Sequence, residues 1–142
     1  YMDTSGVARG VTVVGNYAYV ADEDSGLAII DITYPTSPGT PVYMDTSGVA
    51  RGVTVVGNYA YVADYTSGLA IIDITDPTNP GTPVYMDTSG YADGVTVVAN
   101  YAFVADWTGG LAIIDVSDPT SPGTPVYMNT RGIAYDVTVV GN

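Results

Sequence analysis

Aspartate is the residue with which this chain could most plainly do chemistry. Asp22, Asp64 and Asp106 recur at a spacing of 42 residues, and Asp31, Asp73 and Asp115 recur at the same spacing. Two carboxylates about 5–9.5 Å apart can hydrolyse a glycoside. Here the same pair returns in every copy of a repeat, which suits a structural role: satisfying turn N–H groups or, with Thr33 or Ser117, neighbouring backbone. Asp22-Glu23-Asp24 has the look of a small oxygen cluster for Ca²⁺. Its counterparts, Asp64-Tyr65-Thr66 and Asp106-Trp107-Thr108, do not keep the charges, and no EF-hand loop is present. Asp22 and Asp24 are therefore the only residues at which calcium is considered, and no metal or cofactor is expected. The chain has no His and no Cys. This removes the commonest general base and metal ligand, as well as thiolate chemistry. No Ser-His-Asp set, phosphate loop or zinc motif can be assembled, and the expectation is a protein that is not an enzyme.

The residues that change between copies point elsewhere. One variable stretch holds Arg9, Arg51, Tyr91, Asp93, Ile133 and Tyr135; the other holds Glu23-Asp24, Tyr65-Thr66 and Trp107-Thr108. Loops on a rigid scaffold are where binding usually resides. Tyr65, Tyr91, Trp107 and Tyr135, with Arg9 and Arg51, are the candidate recognition residues. Drift at tolerant loop positions is the competing reading.

The elements that must position these groups are read from the repeat. Tyr-Met-Asp begins at Tyr1, Tyr43 and Tyr85, and Tyr127-Met128-Asn129 continues the series. The units are 1–42, 43–84 and 85–126, with a partial unit at 127–142, all in one repeat array. Units 1–42 and 43–84 differ at four positions only: Glu23/Tyr65, Asp24/Thr66, Tyr34/Asp76 and Ser37/Asn79. Each unit reads as four short strands. In the first, these are Val11–Val14, Tyr17–Ala21, Leu27–Ile32 and Pro41–Asp45. Gly15-Asn16 is a two-residue hairpin signal, and the Pro35–Gly39 connection excludes helix. The last strand is an edge strand, where Pro is tolerated. The runs are apolar on both sides, as in a sheet covered on both faces. Four strands per roughly 40–45 residues is the period of a propeller blade. The fold class is all-β: a β-propeller of 42-residue four-stranded blades, with other stacked-β arrays as the alternative. In a meander, both variable connections fall at one end of the blade. Ala99 replaces the hairpin glycine of the third unit. Either it takes a positive φ at a cost of roughly 1 kcal/mol, or Asn100 takes the left-handed conformation.

Asn58-Tyr-Ala-Tyr-Val-Ala-Asp64 and Gly68-Leu-Ala-Ile-Ile-Asp-Ile-Thr-Asp-Pro77 resemble the LVIVD repeat family, and the match recurs at Asn16–Pro35 and Asn100–Pro119. The resemblance implies a bacterial or archaeal surface or secreted propeller-type repeat protein. It carries no shared catalytic motif.

Fifteen acidic residues against three basic ones give a net charge of −12. Such a chain repels phosphate backbones, so nucleic acid is not an expected partner. No apolar run reaches the roughly 18 residues of a membrane helix. Three full strand sets, an outer strand from Tyr1 and an inner strand at Val137–Val140 do not close a ring of about 4–8 blades. A simple two-chain ring would leave an inner and an outer strand with nothing between them at each junction. The expectation is a fragment or one protomer of a larger ring or filament, closed by further blades or by self-association. The leading functional reading is a non-enzymatic extracellular or cell-surface scaffold, structural or binding. Its rival is a ligand-binding or catalytic propeller whose active residues lie in blades outside this sequence.

Overall fold

A computed structural model describes residues 4–141. The first sheet is β1 (Gly10–Val14), β2 (Tyr17–Ala21), β3 (Leu27–Asp31) and β4 (Val42–Met44). The second is β5 (Gly52–Val56), β6 (Tyr59–Ala63), β7 (Leu69–Asp73) and β8 (Val84–Met86). The third is β9 (Gly94–Val98), β10 (Tyr101–Ala105), β11 (Leu111–Asp115) and β12 (Val126–Met128). Each is an antiparallel meander in sequence order, one per repeat. Together they form three propeller blades in an open array.

Val, Ile, Thr and Tyr dominate the strands because their branched or flat side chains fit a pleated, covered surface. The β1–β2 hairpin closes with Val14 opposite Tyr17. Gly15 has φ +58 and Asn16 keeps a negative φ, a II′-type turn that suits the strand twist. In the third blade Ala99 itself takes φ +52, so the first of the two sequence alternatives holds.

Three expectations shift. β3 ends at Asp31, not Ile32, because the Asp31 carboxylate accepts the Thr33 N–H and turns the chain. β4 has three residues, not five, since Pro41 has no N–H to donate. Val137–Val140 forms no strand, because nothing among the described residues pairs with it. The outer strand expected from Tyr1 lies outside the described residues.

The core lies between the blades. One face of the first sheet (Tyr19, Leu27, Ile29) packs on the opposite face of the second (Ala60, Val62, Ile72). Tyr61, Leu69 and Ile71 of the second sheet pack in the same way on Val104, Ala112 and Ile114 of the third. Burying each such Leu or Ile stabilises by about 1.5–3 kcal/mol. Val53, inside a junction, is 9% exposed, whereas its twin Val11, on the outer face of the first sheet, is 63% exposed.

Candidate functional site

Both variable connections do meet at one end of each blade. A single antiparallel bridge ties the β2–β3 turn of one blade to the link entering the next: Glu23 to Ala50, Tyr65 to Ala92 and Trp107 to Ala134. Glu23, Tyr65 and Trp107 hold φ values of +45, +45 and +48 there. Left-handed backbone at non-glycine residues is uncommon and favours turn and functional positions.

Under this surface sits a constant anchor. Asp22, Asp64 and Asp106 are fully buried. Asp64 Oδ1 accepts the Thr46 hydroxyl at 2.6 Å and Oδ2 accepts the Gly48 N–H at 2.9 Å. Asp22 takes Thr4 and Gly6, and Asp106 takes Thr88 and Gly90, in the same way. The link lies so close that a Cβ on Gly48 would come within 2.1 Å of the Asp64 carbonyl oxygen. The Tyr43, Tyr85 and Tyr127 hydroxyls accept the N–H groups of Ser5, Ser47 and Ser89. Each blade thus clamps its own entering link. Burial pushes the Asp64 carboxyl above the usual range, with the Thr46 and Gly48 hydrogen bonds opposing it. The sequence reading expected these carboxylates to serve their own turns. They serve instead a link 16–18 residues earlier, and the recurring Thr-x-Gly of that link was the available signal.

At the opposite end, Asp31, Asp73 and Asp115 are exposed and accept the N–H two residues on, as the sequence reading expected. The Thr33 and Thr75 side-chain and backbone hydrogen bonds hold Asp31 and Asp73 below the usual carboxylate range. For Asp115 the Ser117 N–H leads. β3 has Leu27 opposite Ala21 and Asp31 opposite Tyr17. Asp22 and Asp31 therefore stand a whole strand apart, about 14 Å at ~3.4 Å per residue, beyond the reach of a glycosidase pair.

The three acidic groups of Asp22-Glu23-Asp24 diverge. Asp22 points inward to Thr4 and Gly6, Glu23 pairs with Arg9, and Asp24 faces solvent. Among the described residues, no three carboxylates gather as a metal would require.

The variable side chains form one ladder across two blades. The Arg51 guanidinium lies 4.6 Å above the Tyr65 ring. Tyr65 stacks on Tyr91 at 4.5 Å, and Tyr91 meets Trp107 at 5.1 Å with a tilt of 47°. In the first blade the place of Arg51 over Tyr65 is taken by the Arg9–Glu23 ion pair. Beside the ladder the entries to β1, β5 and β9 converge on a cleft of 340 Å³, with Arg9, Arg51, Asp93, Tyr135 and Asp136 at its walls. Arg51 stands 3.9 Å from Asp93, and its buried Nε has no hydrogen-bond partner. The structure thus gathers all six candidate recognition residues at one end, with Tyr65, Tyr91 and Trp107 in the ladder, Arg9 and Tyr135 in the cleft, and Arg51 in both. Asp93 joins them, a lining residue that the sequence reading did not single out as a candidate.

No curated protein matches the chain. Residues 5–46, 47–88 and 89–130 each match the family model described as the LVIVD repeat. Each matched stretch begins within one link and ends at the threonine of the next, and with three consecutive matches over most of its length the chain belongs to the LVIVD repeat family.

Proposed function

We propose that the chain is a non-enzymatic repeat scaffold of the cell exterior that offers the ladder end of its blades for recognition and whose array is extended by further blades, of the same chain or of other copies. The observation behind this reading is the division of labour within each blade. The repeated aspartates are engaged in clamps and turns, while the residues that differ between blades converge on one ladder and one cleft. An aromatic platform flanked by arginine and carboxylate suits an extended polar ligand such as a polysaccharide or a surface peptide, by stacking and by charge-assisted hydrogen bonds. Location outside the cell is supported by the family resemblance to surface proteins and by the acidic, cysteine-free composition.

The test is binding of the full chain to a polysaccharide and peptide array, beside Tyr65→Ala and Trp107→Ala variants. Loss of the bound signal in both variants is expected; unchanged binding removes the recognition reading. Labelling of intact against permeabilised cells with an antibody checks the location. A solute-binding propeller remains the second reading, because the cleft lies where the innermost strands converge. A small-molecule ligand held there would favour it.

A further inference from the structure

Arg51 and Asp93 occupy equivalent places in neighbouring blades, carry opposite charges, and are both short of partners. Each precedes the glycine that opens an inner strand, Gly52 of β5 and Gly94 of β9. Glycine lets neighbouring strand entries approach closely. A Cβ on Gly52 would lie 2.9 Å from the Asp93 carbonyl oxygen, and one on Gly10 would lie 3.3 Å from that of Arg51. This spacing brings Arg9, Arg51 and Asp93 to the walls of the 340 Å³ cleft. Arg51 and Asp93 themselves sit where the second blade meets the third, and both blades have all four strands.

The Arg51 side chain is 29% exposed and that of Asp93 14%. Charged groups so far withdrawn from water are normally hydrogen-bonded. Yet Arg51 Nη1 stands 3.9 Å from Asp93 Oδ1, too far for a hydrogen bond. Arg51 Nε is buried with no partner. What holds the guanidinium is the Tyr65 ring, a contact that uses none of its N–H donors. Asp93 is equally unlike the other aspartates. Asp64 and Asp73 each accept two hydrogen bonds, whereas among the described residues Asp93 has only the long contact with Arg51. The cleft is therefore lined by an open ion pair, with unused donors on one side and an unused acceptor on the other.

We propose that this cleft binds a free α-amino acid, its carboxylate accepting from Arg51 and its ammonium donating to Asp93. Such a ligand carries both charges on one carbon, so it can meet a pair whose own members stand 3.9 Å apart. Each contact becomes a charge-assisted hydrogen bond, roughly twice as strong as a neutral one. The wider field selects the same class. The chain has a net charge of −12 and three basic residues, two of which line this cleft. A plain anion meets the general repulsion and then the Asp93 carboxylate. A plain cation meets Arg9 and Arg51. A dipolar ligand with no net charge avoids both penalties. The cleft lies at the low end of the range for small-molecule sites, about 300–1,000 Å³, which suits one amino acid rather than a peptide.

The inference rests on the ladder end being a recognition surface and gives its solute-binding form a ligand class. The test is a calorimetric titration of the full chain with the common free amino acids, then with the N-acetyl and amide forms of the tightest binder. At least one free amino acid should bind. Its N-acetyl form, which lacks the ammonium, and its amide, which lacks the carboxylate, should each bind roughly tenfold to a hundredfold more weakly, the loss of one charge-assisted hydrogen bond. Asp93→Asn keeps the side-chain shape and should abolish the preference for the free amino acid over its N-acetyl form. Arg51→Gln should abolish the preference over the amide. Asp118→Asn, the same charge change at the opposite end of a blade, should leave every affinity as it is. No binding by any free amino acid, equal binding of the free and N-acetyl forms, or a preference that survives Asp93→Asn would each overturn the proposal. The titration uses neither polysaccharide nor peptide and alters no aromatic ring, so this inference and the ladder reading can fail separately.

Discussion

The two ends of each blade obey different rules. At the end where β1 meets β2 and β3 leaves for β4, contacts are short-range: a two-residue hairpin, and a carboxylate reaching two residues along the chain. At the ladder end, contacts span 16 to 38 residues: a buried aspartate and a tyrosine hydroxyl hold a distant link. The difference teaches why variation is confined as it is. The ladder end can change Glu23 to Tyr65 to Trp107 on its surface because the buried clamp beneath stays identical.

The largest effect should come from breaking the clamp. Asp64→Ala leaves the Thr46 hydroxyl and the Gly48 N–H without partners in a buried place, and should cost about 3 kcal/mol, read as a lower urea midpoint. The equivalent change at the other end, Asp73→Ala, removes an exposed turn bond and should shift the midpoint far less. Equal losses would erase the distinction between the ends.

Next comes the ladder. Tyr91→Ala removes both ring contacts at once and should cost about 1–3 kcal/mol, two aromatic pairs at roughly 0.5–1.5 each. A double-mutant cycle with Trp107→Ala isolates the shared part.

The two ends should also differ in their response to acid. Asp73, Asp76 and Asp118 have folded pKa values held low by threonine hydrogen bonds. Their contribution is full above the unfolded value of about 3.9, and is lost as pH falls through the folded value. Asp64 is raised by burial, so its ionisation opposes folding as pH rises through its folded value. Asp76→Asn with Asp118→Asn should therefore flatten the fall in melting temperature below about pH 4, whereas Asp64→Asn should flatten the slope above it.

The smallest effect lies in the hairpins. Ala99→Gly relieves a left-handed alanine at φ +52 and should stabilise by up to about 1 kcal/mol. The converse change, Gly57→Ala at φ +58, should destabilise by a similar amount.

The strands and hairpins were legible because their signals are local: Gly-Asn between apolar runs, and proline where the ladder has to stop. The placement of both variable connections at one end followed from counting strands in a meander. What the sequence could not show was which of several equivalent groups each side chain chooses. Asp22 has turn N–H groups nearby, yet its carboxylate holds Thr4 and Gly6. Likewise, nothing in the spacing says that Tyr91 fills the gap between Tyr65 and Trp107, since Val49 occupies the same place one blade earlier. Val137–Val140 matched a strand in type but not in state, because pairing is a property of two segments and no partner for it lies among the described residues.

The clamp has a consequence for how such arrays change over generations. Asp64, Thr46, Gly48, Ser47 and Tyr85 lie within one 42-residue period, so a recombination event that copies or deletes one period carries the whole lock with it. No residue elsewhere needs to co-evolve for the new blade to hold its link. Array length becomes a trait that drifts in whole steps, and near-identical neighbours such as units 1–42 and 43–84 are what unequal crossing-over both produces and feeds upon.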